Sequence, residues 1–175
     1  MSPTTSPPDS SHGELHVEGE RSTLVFRRRL SHPPEAVWKA ITDPGELARW
    51  HLTEAFVEGR VGGAVRLHRR TPQFEVTGKV LTWDPPRVFE HEWKVLPGPY
   101  SPAGEDAVIR WELTPEDDGT VLTLRHRGLT RGFASIYIAG THAFLDRLSA
   151  QLDGRPLPGM GRSAEVRDDY PVWTG

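Results

Sequence analysis

Residues 23–30 alternate, with Leu24, Phe26, Arg28 and Leu30 on one parity, which predicts a strand with one face on a core. The pattern then changes. Pro33-Pro34 ends the strand, and proline suits the first turn of a helix, where its missing N–H would have no partner anyway. Ala36, Val37, Ala40 and Ile41 form the apolar stripe of that helix. Asp43-Pro44-Gly45-Glu46 reads as an N-cap, a proline at the first helical position and a capping-box glutamate, opening a second short helix with Leu47 and Trp50. From Thr53 the period becomes two, and 53–57, 64–69, 74–83, 88–95, 107–114 and 120–127 predict six more strands. The separators, among them Gly62-Gly63, Pro85-Pro86 and Asp117-Asp118-Gly119, are mostly short, as an antiparallel meander requires. Over about 132–152, Ile138, Thr141, Leu145, Leu148 and Leu152 share one helical face. The expected fold class is α+β: a seven-stranded antiparallel sheet against a long C-terminal helix, with two short helices between the first two strands.

The ends read differently. Residues 1–19 are rich in Ser, Thr and Pro and are expected to be a disordered leader, without the run of about 7 to 15 apolar residues that a secretory signal needs. Residues 20–154 make the domain. Residues 155–175 are dense in Pro and Gly and are expected to be an irregular tail, with Tyr170 and Trp173 as candidates for docking. No stretch approaches the roughly 18 apolar residues of a membrane span.

Side chains on a strand alternate faces, so parity sorts the candidates for the concave side under the long helix. The inward sets are Val65, Leu67 and Arg69; Phe74, Val76, Gly78 and Val80; Phe89, His91 and Trp93; Ile109, Trp111 and Leu113; and Leu122, Leu124 and His126. Charge falls almost wholly on the other parity, where Glu90, Glu92, Arg110 and Arg125 are placed to cross-pair over a solvent face. The exceptions are Arg28, Arg69, His91 and His126. A buried charge needs a partner, so Arg28 is expected in a structural ion pair and Arg69 at a solvated rim. Gly78 is expected to let the helix pack closely. Trp38 and Trp50 are core aromatics that also stand where a cavity would be gated, with His51 beside them at its lip.

The order of elements is similar to the helix-grip fold of the START-like (SRPBCC) superfamily over about 23–154. Within it, PPEAVWKAITDPGELARW, VGGAVRL, VLTWDPPRVFEHEW, VIRWELTPEDDGTVLTLRHRGL and GTHAFLDRLSAQL resemble the family of activator of heat-shock-protein-90 ATPase homologues. The resemblance implies a cavity between sheet and long helix. It departs at Thr141, where relatives often carry Trp and where the smaller side chain opens space beneath the helix, and at His51, where a second aromatic is common. The expected cavity residues are Trp50, Phe56, Leu67, Arg69, Phe74, Val76, His91, Trp93, Trp111, His126, Ile138 and Thr141.

Composition narrows the function. Lys plus Arg total 21 against 24 Asp plus Glu, and a net charge of −3 gives no general attraction for nucleic acid or anionic lipid. With no cysteine there is no thiol nucleophile or thiolate ligand, which fits a reducing compartment, and cytoplasm is the expected location. No HExxH, GxSxG, GxxxxGK[ST] or GxGxxG occurs, and the eight histidines are scattered, so neither metal nor cofactor is expected. The leading expectation is a protein, monomer or homodimer, that holds a small and mostly hydrophobic molecule without covalent chemistry. Two alternatives stand beside it. One is a cyclase, dehydratase or hydrolase using His91 or His126 as general acid or base. The other, implied by the family resemblance, is an interaction module whose partner is a chaperone or a regulatory protein.

Overall fold

The computed structural model describes residues 11–70, 73–99 and 101–170. The elements run β1 (Glu14–Glu18), β2 (Arg21–Leu30), α1 (Pro34–Thr42), α2 (Pro44–Trp50), β3 (Glu54–Val57), β4 (Ala64–Arg69), β5 (Phe74–Asp84), β6 (Val88–Val95), β7 (Glu105–Glu116), β8 (Gly119–Thr130), α3 (Arg131–Leu152) and α4 (Arg162–Arg167). One antiparallel sheet has the order β1-β2-β8-β7-β6-β5-β4-β3. The helix-grip α+β architecture is therefore present, with eight strands where seven were expected.

The added strand lies where a disordered leader was expected. Residues 1–10 of that leader are outside the described residues, but Glu14–Glu18 pairs along β2 from Glu14 opposite Val25 to Glu18 opposite Arg21. The strand is nearly all exposed apart from Leu15, which packs against the core, so ladder hydrogen bonds do most of the holding. In the tail, α4 packs on α3 through buried Val166, and Tyr170 is buried as well. Trp173 lies outside the described residues.

Local chemistry sets the ends of the short helices. The Asp43 carboxylate accepts the Glu46 N–H at 3.1 Å, as an N-cap should. The Glu46 side chain does not complete the capping box: its Oε2 accepts from Gln151 Nε2 at 2.6 Å and ties α2 to α3. Arg147 of α3 donates to the carbonyls of Arg49 and Trp50, which α2 leaves without helical partners at its C-terminus. The core lies between the concave face of the sheet and α3.

Parity assigns that face correctly along β4, β6, β7 and β8, where Val65, Leu67, Phe89, His91, Trp93, Ile109, Trp111, Leu113, Leu122, Leu124 and His126 are all buried. On β5 a bulge between Val80 and Thr82 exposes Leu81 and turns Trp83 toward Phe89. Trp38 packs edge-on to Trp83 at 5.0 Å and belongs to this satellite cluster. Gly78 serves neither helix nor ligand. A Cβ there would lie 2.4 Å from the Glu92 carbonyl oxygen, so the glycine admits the neighbouring strand.

Arg28 finds its carboxylate, with Nη1 2.8 Å from Asp146 Oδ1 on α3. On the solvent face Glu90 meets Arg110 and Arg127, and Glu112 meets Arg125, across strands, whereas Arg110 with Glu112 and Lys94 with Glu92 pair along a single strand, so Glu92 does not cross-pair as expected. No helix among the described residues is long and apolar enough to cross a membrane.

Candidate functional site

The strands β6, β7 and β8 build one wall of a cavity under α3. His91 is opposite Ile109, and Ile109 is opposite His126, so the two imidazoles stand in one row with a single strand between them. Adjacent strands are about 4.8 Å apart, which separates the two backbones by roughly 10 Å. Leu67, Trp93, Trp111 and Leu124 surround that row, α3 covers it with Tyr137, Thr141, Phe144 and Leu145, and α2 closes one side with Trp50 and His51. The Trp50 indole is anchored by its N–H to the Ala40 carbonyl at 2.8 Å and meets Trp111 edge-on at 6.2 Å. Past His51 the chain turns sharply at Leu52, whose φ of 60° lies in the left-handed region that helix ends usually give to glycine.

Of the twelve expected cavity residues, Trp50, Leu67, His91, Trp93, Trp111, His126 and Thr141 line the space. Val76 and Ile138 are buried in the packing around it. Phe74 lies tilted against Trp93 at 6.1 Å, and the Arg69 guanidinium lies over the rings of Phe74 and Phe144 at 5.5 and 6.0 Å, at the edge of the space. Phe56 is on the wrong face. It stands opposite Arg66 on the outer side of the sheet and is 54% exposed, while its neighbour Val57 points in. Parity on a four-residue edge strand gave too short a run to choose between them. Tyr137 and Phe144 were missed, because α3 is enclosed on more than the one face that the heptad-like spacing marks.

The enclosed space is small, ≈ 40 Å³, and falls well short of the roughly 300 Å³ of a drug-sized site. It suffices for about three waters. A cavity that takes up benzene measures about 150 Å³, so a single ring enters only if the walls formed by α2 and α3 give way.

The polar atoms in the wall are unusual. His91 Nδ1 lies 2.7 Å from the Glu92 carbonyl oxygen. His126, fully buried, has no hydrogen-bond partner on either ring nitrogen, and Trp93 Nε1 has none either, among the described residues. An unpartnered buried polar group costs about 1–3 kcal/mol. Burial holds the imidazoles neutral: it lowers His91 to about 4 against the help of Glu92 and Glu90, and lowers His126 to about 3 with His91 adding to the effect. His51 falls to about 3 through burial and the charge of Arg69, while its Nδ1 lies 2.9 Å from Thr53 Oγ1. Burial likewise raises the Tyr137 hydroxyl, so it too is neutral. Among the described residues no group of three His, Asp or Glu converges to hold a metal ion.

Residues 31–153 match the family described as activator of Hsp90 ATPase homolog 1-like protein. The chain belongs to this family. Its fold is shared with the crystal structure of CalU16 from Micromonospora echinospora, at 28% identity and a TM-score of 0.68, covering 90% of this chain and 91% of that one. A conserved protein of unknown function from Enterococcus faecalis, EF2215, is 18% identical with a TM-score of 0.71 over 92% and 91% of the two chains. A Bordetella parapertussis protein is 24% identical, with a TM-score of 0.69 over 93% and 92%. The last two likenesses concern the fold alone. No curated protein matches the chain. The family and its neighbours therefore leave the function to be argued from the cavity.

Proposed function

We propose that this family member binds a small, flat, mostly apolar molecule in the cavity between sheet and α3, without covalent chemistry. The observation that carries the reading is a wall of aromatic and aliphatic side chains interrupted only by neutral polar groups. Two magnitudes weigh against proton transfer. A general base works best with a pKa near the operating pH, whereas His91 and His126 lie at about 4 and about 3. The same neutrality suits recognition, since an uncharged imidazole gives or accepts a hydrogen bond at no cost in buried charge. The absence of cysteine supports a cytoplasmic setting.

Thr141 gives the test. Its side chain lines the cavity at the position where the sequence departs from Trp. Thr141→Trp is expected to fill the space and abolish the thermal shift that toluene or naphthalene gives the unmodified protein, with the circular dichroism spectrum retained. Equal shifts in both proteins would place the binding elsewhere and refute the reading.

A further inference from the structure

The reading above leaves the chemical class of the occupant open, and the hydrogen-bonding state of the wall narrows it. A backbone carbonyl only accepts, so the proton of neutral His91 sits on Nδ1, which donates to Glu92 at 2.7 Å. Nε2 then carries a lone pair. No described residue donates to it, and the ring is only 3% exposed and held between Phe89 at 5.0 Å and Trp93 at 6.4 Å. The fold has thus built an acceptor into an apolar wall and turned its tautomer away from the alternative. Across the row, neutral His126 holds one N–H and one lone pair, both without partners, and Trp93 Nε1 adds an N–H. The Trp93 and His126 rings are 4.8 Å apart, so these groups form one patch.

The lining also contains no Asp, Glu, Lys or Arg. An ammonium group brought here would be desolvated with no counter-charge, and a carboxylate would find only Arg69, held at the edge over Phe74 and Phe144. We infer that the occupant is a neutral hydroxylated aromatic compound, its O–H donating to His91 Nε2 and its oxygen atoms accepting from the N–H groups of the Trp93–His126 patch. Phenol-type hydroxyls fit because they are both donor and acceptor and, with an ordinary pKa near 10, stay neutral at pH 7. A single ring with its hydroxyl is short enough to lie along the roughly 10 Å row once the walls give way.

This inference rests on the proposed ligand binding, and single-ring probes separate the two. Phenol, anisole, toluene and benzoate are titrated into the full chain at pH 7 while the indole and imidazole signals are followed by NMR. Phenol is expected to bind about tenfold more tightly than anisole, which has the same ring and oxygen but no donor, and benzoate more weakly than phenol. In His91→Phe the advantage of phenol over anisole is expected to vanish while toluene still binds. Equal affinity for phenol and anisole in the unmodified protein overturns the inference and leaves apolar binding standing; failure of all four probes overturns both. A second measurement does not depend on the variant: nitrogen shifts of His91 in the free protein must show the Nδ1–H tautomer, and a protonated Nε2 sinks the proposal.

Discussion

His126 and His142 are both fully buried histidines, and the surroundings of the two could hardly differ more. His126 faces Trp93 and Tyr137 edge-on, with neither nitrogen partnered. His142 sits in a polar clasp that joins both ends of the described chain. Tyr170 Oη lies 2.7 Å from His142 Nδ1 and accepts the Gly13 N–H at 2.9 Å, and His142 Nε2 is 3.5 Å from Asp146 Oδ2. That carboxylate is also held by Arg28 at 2.8 Å and Arg162 at 3.0 Å. The arrangement that uses every proton has Tyr170 donating to Nδ1, so the His142 proton is on Nε2 toward Asp146. Burial lowers the pKa of His142 against the opposing pull of Asp146. The clasp is thus a network of facing charges, although His142 Nε2 and Arg28 Nε and Nη2 have no hydrogen bond of their own in it. The cavity row differs in that, among the described residues, the unpartnered nitrogens of His126 and Trp93 have aromatic rings and no charged group against them.

Acid weighs most on the cavity, which holds three histidines of lowered pKa, His51, His91 and His126, against His142 alone in the clasp. The rings of His91 and His126 have folded pKa values of about 4 and about 3, below the ordinary 6.5, so the unfolded chain takes up protons first. Their contribution to stability is complete above about pH 6.5 and is lost as pH falls through that value toward the folded ones. Each ring adds a slope of up to about 1.4 kcal/mol per pH unit, so the pair removes about 5 kcal/mol between pH 6.5 and 4.5. Urea denaturation at half-unit intervals measures this loss. His126→Phe is expected to remove one proton from the slope and cost little at pH 7, since an apolar ring replaces one whose nitrogens have no partners. An unchanged slope in that variant would mean that His126 is solvated and not part of a dry wall.

The second effect belongs to the clasp. Arg28→Ala leaves Asp146 with Arg162 as its remaining arginine, in a site only 19% exposed, and is expected to destabilise by about 3 kcal/mol. Replacing the pair together, Arg28→Met with Asp146→Leu, is expected to recover most of that loss, because no uncompensated charge stays buried. Phenol binding is expected to be unaffected by either change, and the double-mutant comparison reads both quantities. A clasp variant that alters affinity would show that the two regions are coupled through α3.

Which of these features were legible in the sequence follows from their periods. Alternation along β4, β6, β7 and β8 marked the inner wall, including both imidazoles, because a face buried over several strands leaves a long period-two signal. The partnership of Arg28 was legible as a need, since its parity demanded a counter-charge. Its partner was not, because Asp146 is 118 residues away and nothing local relates them. Leu81 broke the phase on β5 by one residue and hid the inward turn of Trp83. Strand β1 had no signal to read: both of its faces are mostly exposed, so hydrogen bonding to the β2 edge decides it. Tyr170 was legible as a candidate for docking, but its contact was not, because Gly13 lies 157 residues away.

The smallest effect tests whether the regions move as one. Tyr137, Thr141 and Phe144 of α3 cover the cavity, while His142 and Asp146 of the same helix belong to the clasp. Gly140 lies among them in mid-helix, where a Cβ would meet nothing within 4 Å. The next residue loosens the helix further, since Thr141 Oγ1 donates back to the Tyr137 carbonyl at 3.1 Å. Gly140→Ala is therefore expected to stabilise by somewhat under 1 kcal/mol, seen as a higher urea midpoint at constant slope. Stopped-flow association of phenol then decides what the glycine does. Slower entry with an unchanged clasp would make α3 a lid hinged at Gly140, moving over the cavity while its C-terminal half stays anchored. An unchanged rate would turn the search for the entry to His51, which lines the cavity next to the left-handed backbone of Leu52.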